Sequence, residues 1–195
     1  MRSSKRKQEI LAAALSCFNE FGVEGTTIEQ IRERSGASVG SLYHHFGNKD
    51  RIAATLFIEG MEDYHQKLSA ALEQAVEAEA GIKVMVRSYI NWIVDNPELA
   101  RFVLNTRARI ASSEAGEELT EHNRRHYADL RSVLQRWVDS GAIRLLPKPC
   151  YSAIIIGPAH DYARGWLSGR NKTPIQDFIE VFEDAAWRAL RNDSN

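Results

Sequence analysis

The chain has 195 residues, 44% of them hydrophobic and 26% charged, and a formal net charge of −1. That length buries a sizeable core as one large domain or two small ones, and the near-zero charge argues against a general nucleic-acid coat. Cys17 and Cys150 lie far apart with no metal-ligand spacing around them, no apolar run reaches the roughly 18 residues of a membrane span, and no secretory leader is visible, so a cytoplasmic protein with no metal, no cofactor and no membrane partner is expected.

The charge is unevenly spread. Residues 1–50 hold seven Lys+Arg against six Asp+Glu, and four of those cations (Arg2, Lys5, Arg6, Lys7) precede the first acid, Glu9. Such an arm either touches phosphates or a minor groove, or is a solvated terminus. From about Ser4 to Phe21, the residues Ile10, Leu11, Ala14, Leu15, Phe18 and Phe21 recur at helical intervals and predict an amphipathic helix that stops at Gly22, with Phe18 central to its core.

Thr26 to Arg51, TTIEQIRERSGASVGSLYHHFGNKDR, predicts two short helices, a tight turn and the start of a third helix. Thr26 and Thr27 are followed three positions on by Glu29 and Gln30, so a capping box fits either register. Gly36 suits a left-handed helix end, and Ser38 is a good N-cap for a helix reaching Phe46. Helix, glycine turn, helix is the order of a helix-turn-helix unit, whose second helix enters the DNA major groove. In that second helix Leu42 and Phe46 face inward together, while Gly40, Tyr43 and His44 point away. Asn48 caps the next helix and Lys49 lies in its first turn, where a helix N-terminus and a cation suit a phosphate.

Downstream, the spacing predicts a long helix through roughly Val76. A second segment opens at Gly81 and ends at the turn signal Asn96-Pro97, and a third runs from Pro97 to about Ile110. Glu117 to Asp139 reads as another long helix, and Leu145 to Pro149 as a connector. The helix from about Cys150 to Ser168 is apolar nearly all round at its centre, so more than one face is expected to be buried, and Pro158 predicts a kink or wide turn. A last helix is predicted from roughly Pro174 to Arg191.

GASVGSLYHHFGNKDRI, preceded by the phenylalanine–glycine–threonine run ending in GTTIEQI, resembles the DNA-binding domain of TetR-type transcriptional regulators over about Lys5 to Leu56. The resemblance implies an all-α homodimer, with a helix-turn-helix DNA-binding domain (1–50) and a C-terminal ligand-binding and dimerisation domain (51–195). It makes Thr27 and Lys49 phosphate contacts, and Tyr43 and His44 phosphate contacts that sometimes also touch a base or sugar; it lets the backbone approach the groove at Gly40, and leaves Ser38, Val39 and Ser41 to read bases. His45 is either a phosphate contact or structural. The family usually has alanines at the positions of Arg32 and Ser35, where the two helices meet closely, so Arg32 is expected either to lie differently or to snorkel outward.

The resemblance also implies that the last two long helices pair between subunits, making Gly157, Phe178, Phe182, Ala186 and Ala189 dimer-contact candidates. A small-molecule pocket would draw on Tyr64, His65, Met85, Tyr89, Trp92, Phe102, Tyr127 and Trp137, each of which is otherwise simply core or, for His65, surface. Polar candidates are Asn105, Arg107, His126, His160 and Asp161. The implied function is a repressor that binds a palindromic double-stranded DNA operator and is released by a small-molecule effector. An enzyme is the poorer alternative, because His160 and Asp161 are helix neighbours that do not face each other and no nucleophile can be placed beside them. A helical adaptor without DNA binding is the third reading.

Overall fold

The computed structural model describes the backbone of residues 2–113 and 116–192, with every side chain in these stretches except those of residues 2, 3, 118, 119, 122, 123 and 125–127. Among the described residues the regular structure is α-helical, as expected. The helices are α1 (Arg2–Gly25), α2 (Ile28–Ser35), α3 (Val39–Phe46), α4 (Lys49–Leu72), α5 (Ala78–Asp95), α6 (Pro97–Ala111), α7 (Gly116–Asp139), α8 (Lys148–Leu167) and α9 (Ile179–Leu190), with a 3-10 turn at Ile175–Phe178. None of the described helices is long and apolar enough to cross a membrane.

The chain forms two compact units. One comprises Met1–Met61 and Glu98–Asn123; the other comprises Glu62–Pro97 and Arg124–Asn195. The first therefore holds α1 to α3, the front of α4, α6 and the front of α7. Its core is the predicted face of α1, with Ile10, Leu11, Ala14 and Phe18 buried. Phe18 stacks on Phe102 of α6, ring centroids 5.6 Å apart. Phe21 departs from the predicted face: it is 42% exposed, and the Arg34 guanidinium lies 5.9 Å from its ring centroid. Arg34 is held there by Glu20 at 2.8 Å, which draws the cation across α1 and leaves Phe21 as its platform.

Local chemistry decides the next boundaries. Gly22 takes a left-handed φ of 72° that interrupts α1. The Thr26 hydroxyl is buried and turned toward the carbonyls of Gly22 (2.7 Å) and Cys17 (3.2 Å), which leaves the capping role to Thr27. Thr27 Oγ1 accepts from the Gln30 backbone N–H, and Gln30 Oε1 accepts from the Thr27 N–H at 2.7 Å, a reciprocal box that contributes about 1 kcal/mol. Gly36 ends α2 at φ 63°, Ser38 Oγ accepts from Ser41 N–H to start α3, and Asn48 Oδ1 accepts from Arg51 N–H to start α4.

In the second unit α5 is the central helix, packed against α8 and α9. Two predicted boundaries shift. α4 stops at Leu72 instead of Val76, and α5 begins at Ala78, ahead of Gly81. The glycine at 81 is a packing residue: a Cβ there would lie 2.0 Å from the Trp137 indole. Its role is to admit Trp137, not to open a helix.

α8 runs unbroken through Pro158. Tyr151, Ile155, Ala159, Ala163 and Leu167, each four residues from the last, form its main buried face, and Gly165 is buried off that line beneath Asn171. Ile154, Ile156 and Gly157 are only half-buried and Pro158 is exposed, so the second buried face expected of this helix is uncovered within one chain. The final segment is a 3-10 turn followed by a twelve-residue α9, not one helix from Pro174.

Candidate nucleic-acid interface

α3 turns Leu42 and Phe46 into the first unit's core and leaves its other side open. Ser38, Val39, Gly40, Tyr43 and His44 are exposed, with Tyr43 at 55%, while Ser41 and His45 are half-buried. The His45 ring lies between its neighbours, 5.4 Å from His44 and 6.0 Å from Phe46. Thr27 is exposed at the start of α2, two residues before Glu29. The structure thus puts the predicted recognition residues of α3 on or at the edge of one surface.

The cations around this surface are largely engaged within the fold. Lys49 Nζ donates to the carbonyls of Glu24 (3.0 Å) and Thr26 (2.6 Å), pinning the start of α4 to the turn between α1 and α2. An ammonium has three hydrogens, so one remains for a phosphate. Arg32 does swing outward, as expected, and forks onto Glu29 at 2.6–2.8 Å. This pairing holds the Glu29 carboxyl below its usual range. The basic arm is not a free strand. Lys5 is exposed in α1, but Arg6 pairs with Glu9 and Lys7 with Glu59 of α4, each within 3 Å. Burial pushes the Cys17 thiol up, which suits a packing role.

Sequence reasoning missed one junction in this unit. Arg109, in the last turn of α6, binds Glu24 Oε1 at 2.7 Å and Asp50 Oδ1 at 2.9 Å. It fastens α6 to the end of α1 and the first turn of α4, the two segments that bracket the helix-turn-helix. Nothing local flags it, because a cation near a helix C-terminus is ordinary.

The predicted pocket residues separate into three groups. In the second unit Tyr64, His65, Met85, Tyr89, Trp92 and Trp137 are all buried. Tyr64 meets Tyr89 edge to face at 5.9 Å and Trp92 at 5.8 Å, and the Tyr89 hydroxyl shares a 2.9 Å hydrogen bond with His160 Nδ1. Trp92 Nε1 donates to Asp63, a residue the sequence pattern did not single out. Phe102, by contrast, belongs to the first unit, where it is spent on Phe18. Arg107, Asn105 and Asp161 are exposed, on the outer sides of α6 and α8, and so line no interior of their unit. The side chains of His126 and Tyr127 lie outside the described residues.

Of the dimer candidates, Gly157, Phe178, Phe182 and Ala189 are half-buried. Phe178 and Phe182 pack on Tyr162 of α8 at 5.3 and 5.8 Å. Ala186 is a correction: it is 3% exposed, on the same side of α9 as Glu183 and Leu190, and this inward side is closed to a partner. Among the described residues no group of three or more His, Cys, Asp or Glu is placed to hold a metal ion.

The family model for bacterial regulatory proteins of the tetR family matches residues 10–56, which is α1 through the front of α4. Residues 10–56 are a TetR-family DNA-binding segment. The chain is 37% identical over 87 residues to the HTH-type transcriptional repressor AcnR of Corynebacterium jeikeium, covering 44% of this chain and 42% of that protein. The match thus spans less than half the length of this relative. It is 27% identical over 186 residues to the HTH-type transcriptional regulator RutR of Escherichia coli K12, covering 95% of this chain and 82% of that one. The transcriptional regulator FadR from Bacillus subtilis, solved in complex with stearoyl-CoA, shares the fold with a TM-score of 0.77 at 18% identity, covering 92% of this chain and 96% of that one. The part shared with the family model is the part with the outward recognition helix.

Proposed function

We propose that this chain is a TetR-family DNA-binding transcriptional regulator, a repressor that acts as a homodimer on a palindromic operator in the cytoplasm and is released by a small-molecule effector. The observation that carries the reading is α3: a capped helix with its apolar side buried and Val39, Gly40, Tyr43 and His44 turned out, set in a three-helix frame by Lys49 and Arg109. The domain division by role, 1–50 for DNA and 51–195 for ligand and dimerisation, is part of the proposal. So are the phosphate contacts of Thr27, Tyr43, His44 and Lys49 and the base contacts of Ser38, Val39 and Ser41.

Repression is supported by the name of the AcnR relative, and a ligand by the stearoyl-CoA complex of FadR. The effector would occupy the second unit near Tyr64, Tyr89, Trp92 and His160, where aromatic rings and a few polar atoms meet. It acts only if it binds the DNA-competent and DNA-incompetent states with different affinity.

Tyr43→Ala tests the DNA contact. Tyr43 is more than half exposed, so its loss leaves the core intact. Binding to selected operator DNA, followed by fluorescence anisotropy, is expected to weaken about 10-fold or more, the order of one good side-chain contact. Unchanged affinity would remove Tyr43 from the interface.

The uncovered side of α8, with Phe178 and Phe182 beside it, supports the homodimer. Phe182→Asp is expected to give monomers in sedimentation or light scattering, because a charge would be buried against a partner helix. A dimer that survives this change places the interface elsewhere.

A further inference from the structure

Apart from Tyr43 and His44, the outward side of α3 has no long polar side chain. From Ser38 to Phe46 there is no Arg, Lys, Asn, Gln, Asp or Glu. These are the residues that pair with guanine or adenine at two points, or accept from cytosine N4. The helix instead presents Val39 at its first position, 42% exposed, and Tyr43, 55% exposed, four residues on along the same face.

Gly40 sits beside Val39 in the same turn. A Cβ there would meet no atom within 4 Å, and its φ is not in the left-handed region. The fold itself has no need of a glycine at this point, although glycine is a poor helix former and a β-branched valine is not a good one. Two adjacent residues that weaken an exposed eight-residue helix leave a bare backbone and an isopropyl group, which is the surface a close apolar contact requires. The nearby arginines are held within the fold, Arg32 forked onto Glu29 and Arg34 donating to Glu20 and Ser16; Lys49 donates to two carbonyls and keeps one hydrogen, and Ser38 Oγ accepts from Ser41 N–H and keeps its own.

We propose that Val39 is a specificity-determining residue and that each operator half-site carries a thymine whose 5-methyl group packs on the Val39 side chain beside the Gly40 backbone. This rests on the DNA-binding reading above. In the major groove the methyl group marks thymine, whereas cytosine presents an amino group and no methyl at the equivalent edge. Val39 therefore rewards thymine by apolar contact, with no hydrogen bond made to that base by its side chain.

The test begins with sites selected from random DNA by the full-length protein. Anisotropy titrations then compare the selected duplex with copies in which each thymine of one half-site is replaced, one at a time, by deoxyuridine, which removes only the methyl group. One replacement is expected to weaken the wild-type protein about 4-fold, the worth of one buried methyl-sized group. The exposed Val39→Ala variant, which leaves the core untouched, is expected to bind the thymine and deoxyuridine duplexes within about 2-fold of each other, since little of the apolar contact remains. Equal wild-type binding to every substituted duplex overturns the proposal, and so does a loss that persists undiminished in Val39→Ala. Tight parent binding with no methyl effect defeats the Val39 assignment alone, whereas failure to select any site defeats the DNA-binding reading with it.

Discussion

Gly81→Val is expected to destabilise the protein by about 3 kcal/mol, seen as a lower urea midpoint with an unchanged slope. The glycine lies in the first turn of α5, and a Cβ built on it falls 2.0 Å from Trp137 Cη2 and 2.4 Å from Cζ2. Trp137 is itself only 7% exposed, so the indole has little space into which to retreat. Overpacking of this kind costs about 1–3 kcal/mol, and valine brings two methyl groups beyond the Cβ without the helix propensity that partly compensates alanine. Gly81→Ala is accordingly the milder change. If the clash is the cause, Trp137→Phe combined with Gly81→Val should cost clearly less than the sum of the two single changes, because the partners share one volume. Additive costs, or a midpoint unmoved by valine, would show that α5 is not held against Trp137 in this way.

Arg87→Met should cost about 2 kcal/mol, for an electrostatic reason. Glu183 on α9 has a side chain 5% exposed; Arg87 of α5 donates from Nη2 to its Oε2 at 2.8 Å, and Nε lies 2.7 Å from Oε1 as an ion-pair contact without hydrogen-bond geometry. Removing one member of a buried pair leaves a charge without its partner, which costs about 3–5 kcal/mol when both groups are deep. Arg87 is half exposed, so water replaces part of the lost interaction and the expected cost falls below that range. The second variant, Arg87→Met with Glu183→Gln, removes both charges and should recover much of the loss. The same pair orients α9, whose other side carries Phe182, so Arg87→Met should also weaken the proposed dimer at low protein concentration. Full stability in Arg87→Met would mean that Glu183 is solvated and that the pair does not fix α9.

The family-defining part of this protein was legible because its signals are local. A capping threonine, a glycine at a left-handed helix end, an N-cap serine and an N-cap asparagine each act within about four residues, and Thr27, Gly36, Ser38 and Asn48 all do what their neighbours imply. The inward pair Leu42 and Phe46 follows from helical periodicity alone, and with it the outward direction of Tyr43 and His44. Even here the choice between Thr26 and Thr27 as the cap was settled by a distant group. The Cys17 carbonyl, with Gly22, takes up the Thr26 hydroxyl.

Further along the chain, periodicity marks an apolar face without saying which body that face joins. Phe102 reads as a pocket aromatic but packs on Phe18, because α6 belongs to the same compact unit as α1. Gly81 reads as the opening of a helical segment but is a slot for an indole 56 positions away in sequence. Arg109 carries no local signal and yet joins α6 to Glu24 and Asp50. Ala186 fits a dimer stripe by spacing but faces the chain's own interior. The sequence by itself determined the helices, their caps and the recognition surface, since these depend on hydrogen bonds and side-chain periodicity within a turn or two. The tertiary structure decided which apolar side chains are core, which cations are spent inside the fold, and which face remains open, since those depend on where remote segments bring volume and charge.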